Sequence, residues 1–426
     1  MRFLIIFFSY LIFAAQTLYG QFDIGQIKGN EKKIFIEAES YFLYGDYPEA
    51  LYLYQLLTRE FELNRKFSYR IGQCLLNMPG NEQKAIEPLK SSVAAINLNC
   101  NESDFFDNCV PYDVYFYLGE AYRMTNEFDK AIESYKLLLE NVKEGEYDIS
   151  RIKHHINSCE NAKNAIKTPI NATFEPLSKN INTADINRNA VFSSDENIIV
   201  YTSSQRFYDA IMYSKKNENG KWSTPINILS QLGVDNFMYP TGLSADGTEL
   251  YLNGTENYGG DIYYSKYKDG KWLPVSKLNK NINSKYWESH ASISKDGNTL
   301  YFTSNREGGF GNLDIYKSTK DSKGQWGPAE NLGSKVNSEF NEFSPIMIDD
   351  KLYFASEGHS TIGGFDIFIS TFDGSTFSSP KNLGYPINTS YDEEFYFPSI
   401  NGNYGFISIR RIDSPNKKDL NKVSLP

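Results

Sequence analysis

The hydrophobic positions of this chain change period once. From residue 31 to about 166 they recur at three- and four-residue intervals, the mark of amphipathic helices; beyond about 171 they form short runs bounded by Gly, Pro, Asn and Asp, the mark of strands and tight turns. In the first stretch, Ala38-Glu-Ser-Tyr41, Gly45-Asp-Tyr-Pro-Glu-Ala50 and Tyr54 predict one helical hairpin. Tyr117-Leu-Gly-Glu-Ala-Tyr122, Asn126-Glu-Phe-Asp-Lys-Ala131, Tyr135 and Leu138 predict another. Ile71-Gly72, Ala85 and Leu89 mark a degenerate copy between them, and residues 96–111 an insertion after it. Residues 149–166 read as a capping helix with Ile152, Ile156, Cys159 and Ala162 near one face. Three hairpins and a cap are about the smallest stable array of this kind. Thr168-Pro169 then marks the boundary to the second stretch.

The second stretch repeats every 52 or 53 residues: Asp209-Ala-Ile-Met-Tyr213, Asp261-Ile-Tyr-Tyr-Ser265, Asp314-Ile-Tyr-Lys-Ser318, Asp366-Ile-Phe-Ile-Ser370 and a weaker copy from Asp419. Before each Asp lies a turn and a strand, as in Asp246-Gly-Thr-Glu-Leu-Tyr-Leu252 and Asp296-Gly-Asn-Thr-Leu-Tyr-Phe302; Asp-Gly between apolar runs is a hairpin signal because the turn needs positive φ. After each Asp lie an aromatic residue and a Pro, such as Trp272 and Pro274, then an Asn-Ser or Asn-Thr turn at Asn283, Asn337 and Asn388. Each unit is thus four short strands, A to D, the size of a propeller blade. The last copy reaches Pro426 without a D strand, while 174–183 resembles a D strand and its turn with no A to C before it. The expectation is an α + β multidomain chain: an N-terminal, tetratricopeptide-like α-solenoid over 31–166, then an all-β five-bladed propeller over 171–426 closed by its N-terminal strand, which removes open sheet edges.

Residues 1–20 read as a secretory signal peptide, with Arg2 as the basic start and Phe3 to Ala15 as an apolar core too short to span a bilayer. The mature chain is expected to be exported, with no membrane span. A net charge of −10, with Lys and Arg scattered, argues against nucleic-acid partners. Four cysteines in an oxidising compartment permit disulfides. Cys100 and Cys109 flank a polar loop and either bridge or stay free; Cys74 and Cys159 fall in helical patterns as buried thiols.

Large-x-x-Leu-Gly-x-x-Tyr over 115–122, followed by Ala131 and Tyr135, resembles the tetratricopeptide repeat. Ser304-Asn-Arg-Glu-Gly-Gly-Phe-Gly-Asn-Leu-Asp-Ile-Tyr316 is similar to the WD40-like repeats of TolB-type propellers. Leader, helices and propeller in that order resemble Bacteroidetes periplasmic proteins of the kind that includes PorE of the type IX secretion apparatus. The resemblance implies a periplasmic place near the outer membrane, with partners among outer-membrane or secretion-complex proteins. That family carries an OmpA-like peptidoglycan-binding domain after the propeller. None follows the fifth repeat here, so peptidoglycan binding is not carried over.

The B–C loops and D–A segments of a blade emerge on one rim. Glu288, Glu342 and Glu394, counted eight residues back from Asp296, Asp350 and Gly402, either ring the channel mouth to hold a cation or a basic segment, or bond backbone of the neighbouring blade. Arg306, Tyr286 and Trp287 are further rim candidates, and Tyr41, Tyr44, Tyr115 and Tyr122 candidates for a helical groove. The recurring Asp reads as a cap of its own loop amides. Nucleophile elbows, His-Glu-x-x-His and phosphate loops are missing from the sequence. The expected function is a noncatalytic scaffold without cofactor or metal; the alternative is a propeller hydrolase or glycan-binding protein acting at the rim.

Overall fold

The computed structural model describes residues 29–425 except 144, 146, 235–236 and 255–259. The signal-peptide reading therefore lies outside the described residues. Among these, no helix is long and apolar enough to cross a membrane. The chain divides into two compact units, 1–117 and 118–426.

The first unit holds α1 (Glu31–Leu43), α2 (Tyr47–Glu60), α3 (Arg65–Leu76) and α4 (Glu82–Ser92). Gly45, at φ 78°, ends the first helix in a conformation that residues with a Cβ avoid, and Pro48 starts the next where its missing N–H costs nothing. Asn64 caps α3 by accepting from the Lys66 amide. Gly72 lets α3 approach α4 so closely that an added Cβ would overlap Leu89. The inserted segment is closed by a disulfide between Cys100 and Cys109, with Cα atoms 5.3 Å apart. Lys66, fully buried, donates its ammonium to the carbonyls of Asn101 and Asp104 and so fastens this loop to α3. Helix α5 (Val114–Met124) carries the chain across the division between units.

The second unit begins with the end of α5, then α6 (Phe128–Asn141) and α7 (Ile149–Lys167). Gly119 admits the Tyr135 ring, and Asp148 caps α7 by accepting from the Arg151 amide. Strand β1 (Thr173–Pro176) leads into five four-stranded groups. They are β2 (Ile186–Phe192), β3 (Ile198–Ser204), β4 (Asp209–Lys215) and β5 (Ile226–Asn227); then, after α8 (Leu229–Leu232), β6 (Met238–Leu243), β7 (Glu249–Gly254), β8 (Asp261–Lys268) with the short β9 (Lys271–Trp272), and β10 (Ser276–Lys277). The third is β11 (Glu288–Ile293), β12 (Thr299–Ser304), β13 (Asp314–Thr319) and β14 (Glu330–Asn331). The fourth is β15 (Glu342–Ile348), β16 (Lys351–Ser356), β17 (Asp366–Thr371) and β18 (Lys381–Asn382). The fifth is β19 (Tyr396–Pro398), β20 (Tyr404–Arg410) and β21 (Lys418–Ser424), whose outer partner is β1, antiparallel with Phe174 opposite Val423.

Each neighbouring pair of groups shares an apolar core. Ile211 and Leu250 pack together between the first and second, Tyr251 and Phe302 between the second and third, Ile315 and Phe354 between the third and fourth, and Tyr353 and Ile407 between the fourth and fifth. Phe192 and Tyr201 of the first pack with Phe406 and Leu420 of the fifth. The inner strands touch in the same order, β2 with β6, β6 with β11, β11 with β15, β15 with β19, and β19 with β2. A blade buries both faces only in this way, so its strands are apolar on both sides.

One device recurs at the outer edge, where the short D strand runs out. The Asn283 amide accepts from the Ile262 N–H (2.8 Å) and donates to its carbonyl (2.8 Å); Asn337 does the same to Ile315, and Asn388 to Ile367. Asn182, downstream of β1, treats Leu420 of the last strand identically (2.8 and 3.0 Å). The segment at the start of the strand-rich region thus serves the fifth group as each D segment serves the others.

Candidate functional site

The rim is built from the B–C loops and the turns that lead into the inner strands. The recurring Asp holds the first of these. Asp314 accepts from the amides of Phe310 (2.6 Å) and Gly311 (2.9 Å), and Asp366 from those of Ile362 (2.6 Å) and Gly363 (3.1 Å). Burial pushes the Asp366 carboxyl up to about 7.

Of the two readings of Glu288, Glu342 and Glu394, the bonding of backbone delivered by the neighbouring blade describes Glu288 and Glu342. Glu288 is fully buried and accepts from the Ser284 amide (2.8 Å), the Ser284 hydroxyl (2.6 Å) and the Ser304 hydroxyl (2.8 Å). Glu342, equally buried, accepts from the Ser338 amide (2.8 Å) and the hydroxyls of Ser338 (2.5 Å) and Ser356 (2.7 Å). Burial pushes Glu342 up to about 7. These carboxylates are consumed in closing the turn delivered by the preceding blade.

In the fifth blade the equivalent residue is Glu393, which accepts from the Thr389 amide (2.8 Å) and hydroxyl (2.7 Å). Burial, then the Asp366 charge, hold Glu393 well above the usual carboxylate range. Counting back from Gly402 lands one residue late, because the turn position matching Asp296 is Asn401: Ser399 bonds Asn401 as Ser294 bonds Asp296. A Ser or Thr four residues before a Glu, as at Ser284, Ser338 and Thr389, is the signal that finds all three. Glu394 is released from turn duty and lines a pocket with Arg188, Asp392 and Lys418.

Arg306 is also spent inside its blade. It donates to the Ile282 carbonyl (2.7 Å) and to Glu288 (3.2 Å), with its guanidinium over the Phe302 and Tyr316 rings. Tyr286 is half-buried under Lys285, and Trp287 is half-buried beside Gly260. Rim aromatics that stand in solvent include Phe207 at 82% exposed, its neighbour Tyr208 at 44% and Phe310 at 51%, none singled out by the repeat pattern.

Of the helical candidates, Tyr44 is 78% exposed, Tyr41 and Tyr115 are half-buried, and Tyr122 is buried beneath Lys130. The other exposed apolar side chains of the first hairpin are Leu43 at 81%, Ile36 at 58% and Tyr52 at 50% exposure. Ile36 and Leu43 are seven residues apart on α1, hence on one face.

Within the second unit, α7 docks on the fourth blade. Arg151 reaches both oxygens of Glu357 (3.2 Å each), Ser158 bonds the Thr361 hydroxyl (2.5 Å), and Asn161 donates to the Thr361 carbonyl (3.0 Å). His154 bonds the same hydroxyl (2.9 Å) and lies against the Phe340 ring, while Arg123 and Asn126 bond Ser390. The adjacent His155 stacks on Tyr135, and burial drives it down to about 4. These histidines are part of a joint, and among the described residues no cluster of His, Cys, Asp and Glu could hold a metal ion.

The tetratricopeptide repeat family matches residues 113–144, which contain α5 and α6. No curated protein sequence matches the chain. Among solved structures, TolB from Acinetobacter baumannii is similar at 18% identity over 56% of this chain and 55% of its own, with a TM-score of 0.35. A putative TolB from Agrobacterium tumefaciens is similar at 17% identity over 56% and 74%, also at 0.35. A thermostable family-43 glycoside hydrolase is similar at 12% over 56% and 90%, at 0.37. The chain spans just over half the length of the Acinetobacter protein.

Proposed function

We propose that this chain is an exported, noncatalytic scaffold that joins proteins of an outer-membrane-associated assembly, the type IX secretion apparatus being the one its sequence resemblance favours. The observation that carries the reading is the set of exposed apolar side chains on the first helical hairpin. Ile36, Leu43, Tyr44 and Tyr52 are each at least half exposed, although their neighbours Phe35, Ala38 and Leu53 are buried. Exposed aromatic and aliphatic side chains on one short hairpin are the kind of residue that anchors a protein interface. The Cys100–Cys109 bridge supports residence in an oxidising compartment. Glu288, Glu342 and Glu393 are engaged in closing turns, a structural task that supports the noncatalytic reading.

The test is recovery of partners from the envelope fraction of the source cells on the tagged protein, compared with a Leu43→Glu, Tyr44→Glu variant. Reproducible outer-membrane or secretion-complex proteins with wild type, lost with the variant while its thermal unfolding is unchanged, is the expected result. Equal recovery with both overturns the role of these side chains, and no partner with either overturns the scaffold.

A further inference from the structure

The symmetry of the blades separates residues that build the fold from residues that do not. The level occupied by Glu288 and Glu342, opposite Ser304 and Ser356, performs the same structural task in several blades. The next level along the inner strands is Arg188, Tyr239, Ser289 and Phe343, opposite Thr202, Asn253, Thr303 and Ala355. Since Glu393 is the turn residue of the fifth blade, Glu394 completes this level. Five unlike side chains stand where a purely structural position would repeat.

Beside Arg188 and Glu394 the mouth opens into a cavity of about 170 Å³, lined also by Asp392, Lys418, Phe395 and Ile407. That is room for on the order of ten waters, or for one small organic molecule. Lys418 is half-buried at the back of the cavity, while Glu394, Asp392 and Arg188 are exposed at its mouth. Among the described residues, neither the Glu394 carboxylate nor the Lys418 ammonium has a hydrogen bond or an ion pair, with each other or elsewhere. Asp392 is partly engaged by the Phe365 amide (3.0 Å), and Arg188 by Asp209 (2.5 Å). Burial raises Glu394, with Asp392 adding to it while Lys418 and Arg188 oppose; burial lowers Lys418, with Glu394 the leading opposing charge. The half-buried Lys418 ammonium is thus left without a partner on a cavity whose mouth carries exposed carboxylates, an arrangement that a molecule bringing both complements satisfies. The Tyr239 phenol lies close enough to feel both Arg188 and Glu394.

We propose that this cavity binds a compact zwitterion of the α-amino-acid class. Its ammonium rests on Glu394 and Asp392, its carboxylate on Lys418 and Arg188, and its side chain against Phe395 and Ile407. The site goes beyond the scaffold reading and stands or falls separately, because none of its residues lies on the α1–α2 hairpin.

The experiment is isothermal calorimetry of the full chain with leucine, lysine and glycine, alongside N-acetyl-leucine, leucine amide and N-acetyl-leucine amide. The expected result is binding of at least one free amino acid, at least tenfold weaker for its singly blocked forms and undetectable for the doubly blocked one. Glu394→Gln and Lys418→Met each weaken binding at least tenfold, with tryptophan fluorescence confirming the folded blades. No binding of any free amino acid, equal binding of the doubly blocked form, or unchanged affinity in both folded variants overturns the proposal. Should either variant fail to fold, the wild-type comparison of free and blocked ligands decides.

Discussion

Removing the Glu342 carboxylate tests how the inner strands are fastened. In Glu342→Ala three buried donors lose their acceptor: the Ser338 amide and the hydroxyls of Ser338 and Ser356. Hydroxyls can rotate to other acceptors, whereas the amide cannot, so the expected loss is about 3 kcal/mol, at roughly 1–3 kcal/mol per stranded buried donor. Glu342→Gln keeps the shape but turns an N–H₂ toward the turn that needs an acceptor, an expected loss of about 1–2 kcal/mol. The pH dependence separates the two effects. Burial raises the folded-state value to about 7, above the ordinary carboxylate value of 4.5 that the unfolded chain has. The folded protein therefore holds a proton that the unfolded chain releases between these values. This contribution to stability is fully present below about 4.5, falls as pH rises through about 7, and is flat above, with a slope of at most roughly 1 kcal/mol per pH unit. Glutamine does not titrate, so the gap between wild type and Glu342→Gln narrows from pH 5 to pH 8. Urea unfolding followed by tryptophan fluorescence reads this directly, since Trp222, Trp272, Trp287 and Trp326 all lie in the strand-rich region. A Glu342→Ala loss below about 1 kcal/mol, or a wild-type-to-glutamine gap independent of pH, refutes the reasoning.

Gly311→Ala places a Cβ into the Phe340 carbonyl and costs more than about 3 kcal/mol, whereas Gly297→Ala meets open space at φ 73° and costs about 1 kcal/mol; the same urea titration ranks them. Opening the Cys100–Cys109 bridge by a double Ser substitution frees a short loop worth about 2–3 kcal/mol, seen as a lower melting temperature of the helical circular dichroism signal, with dithiothreitol reproducing the shift in wild type. Arg151→Ala and Glu357→Ala couple by under about 1 kcal/mol in a double-mutant cycle, since the pair is partly exposed, and Thr361→Val costs more because Ser158 and His154 both lose their partner; hydrogen exchange across 149–167 measures both.

Several features of this protein were legible because they are local. The change from helical to strand period shows where α7 ends at Lys167 and β1 begins at Thr173. The returning Asp announces a loop that it caps from within a few residues. The likeness of 174–183 to a D segment foretells the strand that lies on β21 and the amide of Asn182 that serves Leu420. Each rests on short-range geometry or on a repeat that compares one part of the chain with another, and both are written in residue order.

Other features needed the folded chain. The turn register of the fifth blade moved the structural carboxylate from Glu394 to Glu393, and one residue along a strand reverses which side chain faces the interior. The docking of α7 on Thr361 and Glu357, within the unit of residues 118–426, is a meeting that no spacing announces. Likewise Lys418 reaches the cavity of Glu394 only because β21 lies beside β2, where Lys418 pairs with Ile186. Local periodicity determined the helical and strand-rich stretches and the recurrence of the four-stranded unit. Which charges were neutralised by hydrogen bonds and which were left facing a cavity depended on contacts between distant segments, and only the tertiary structure decided them.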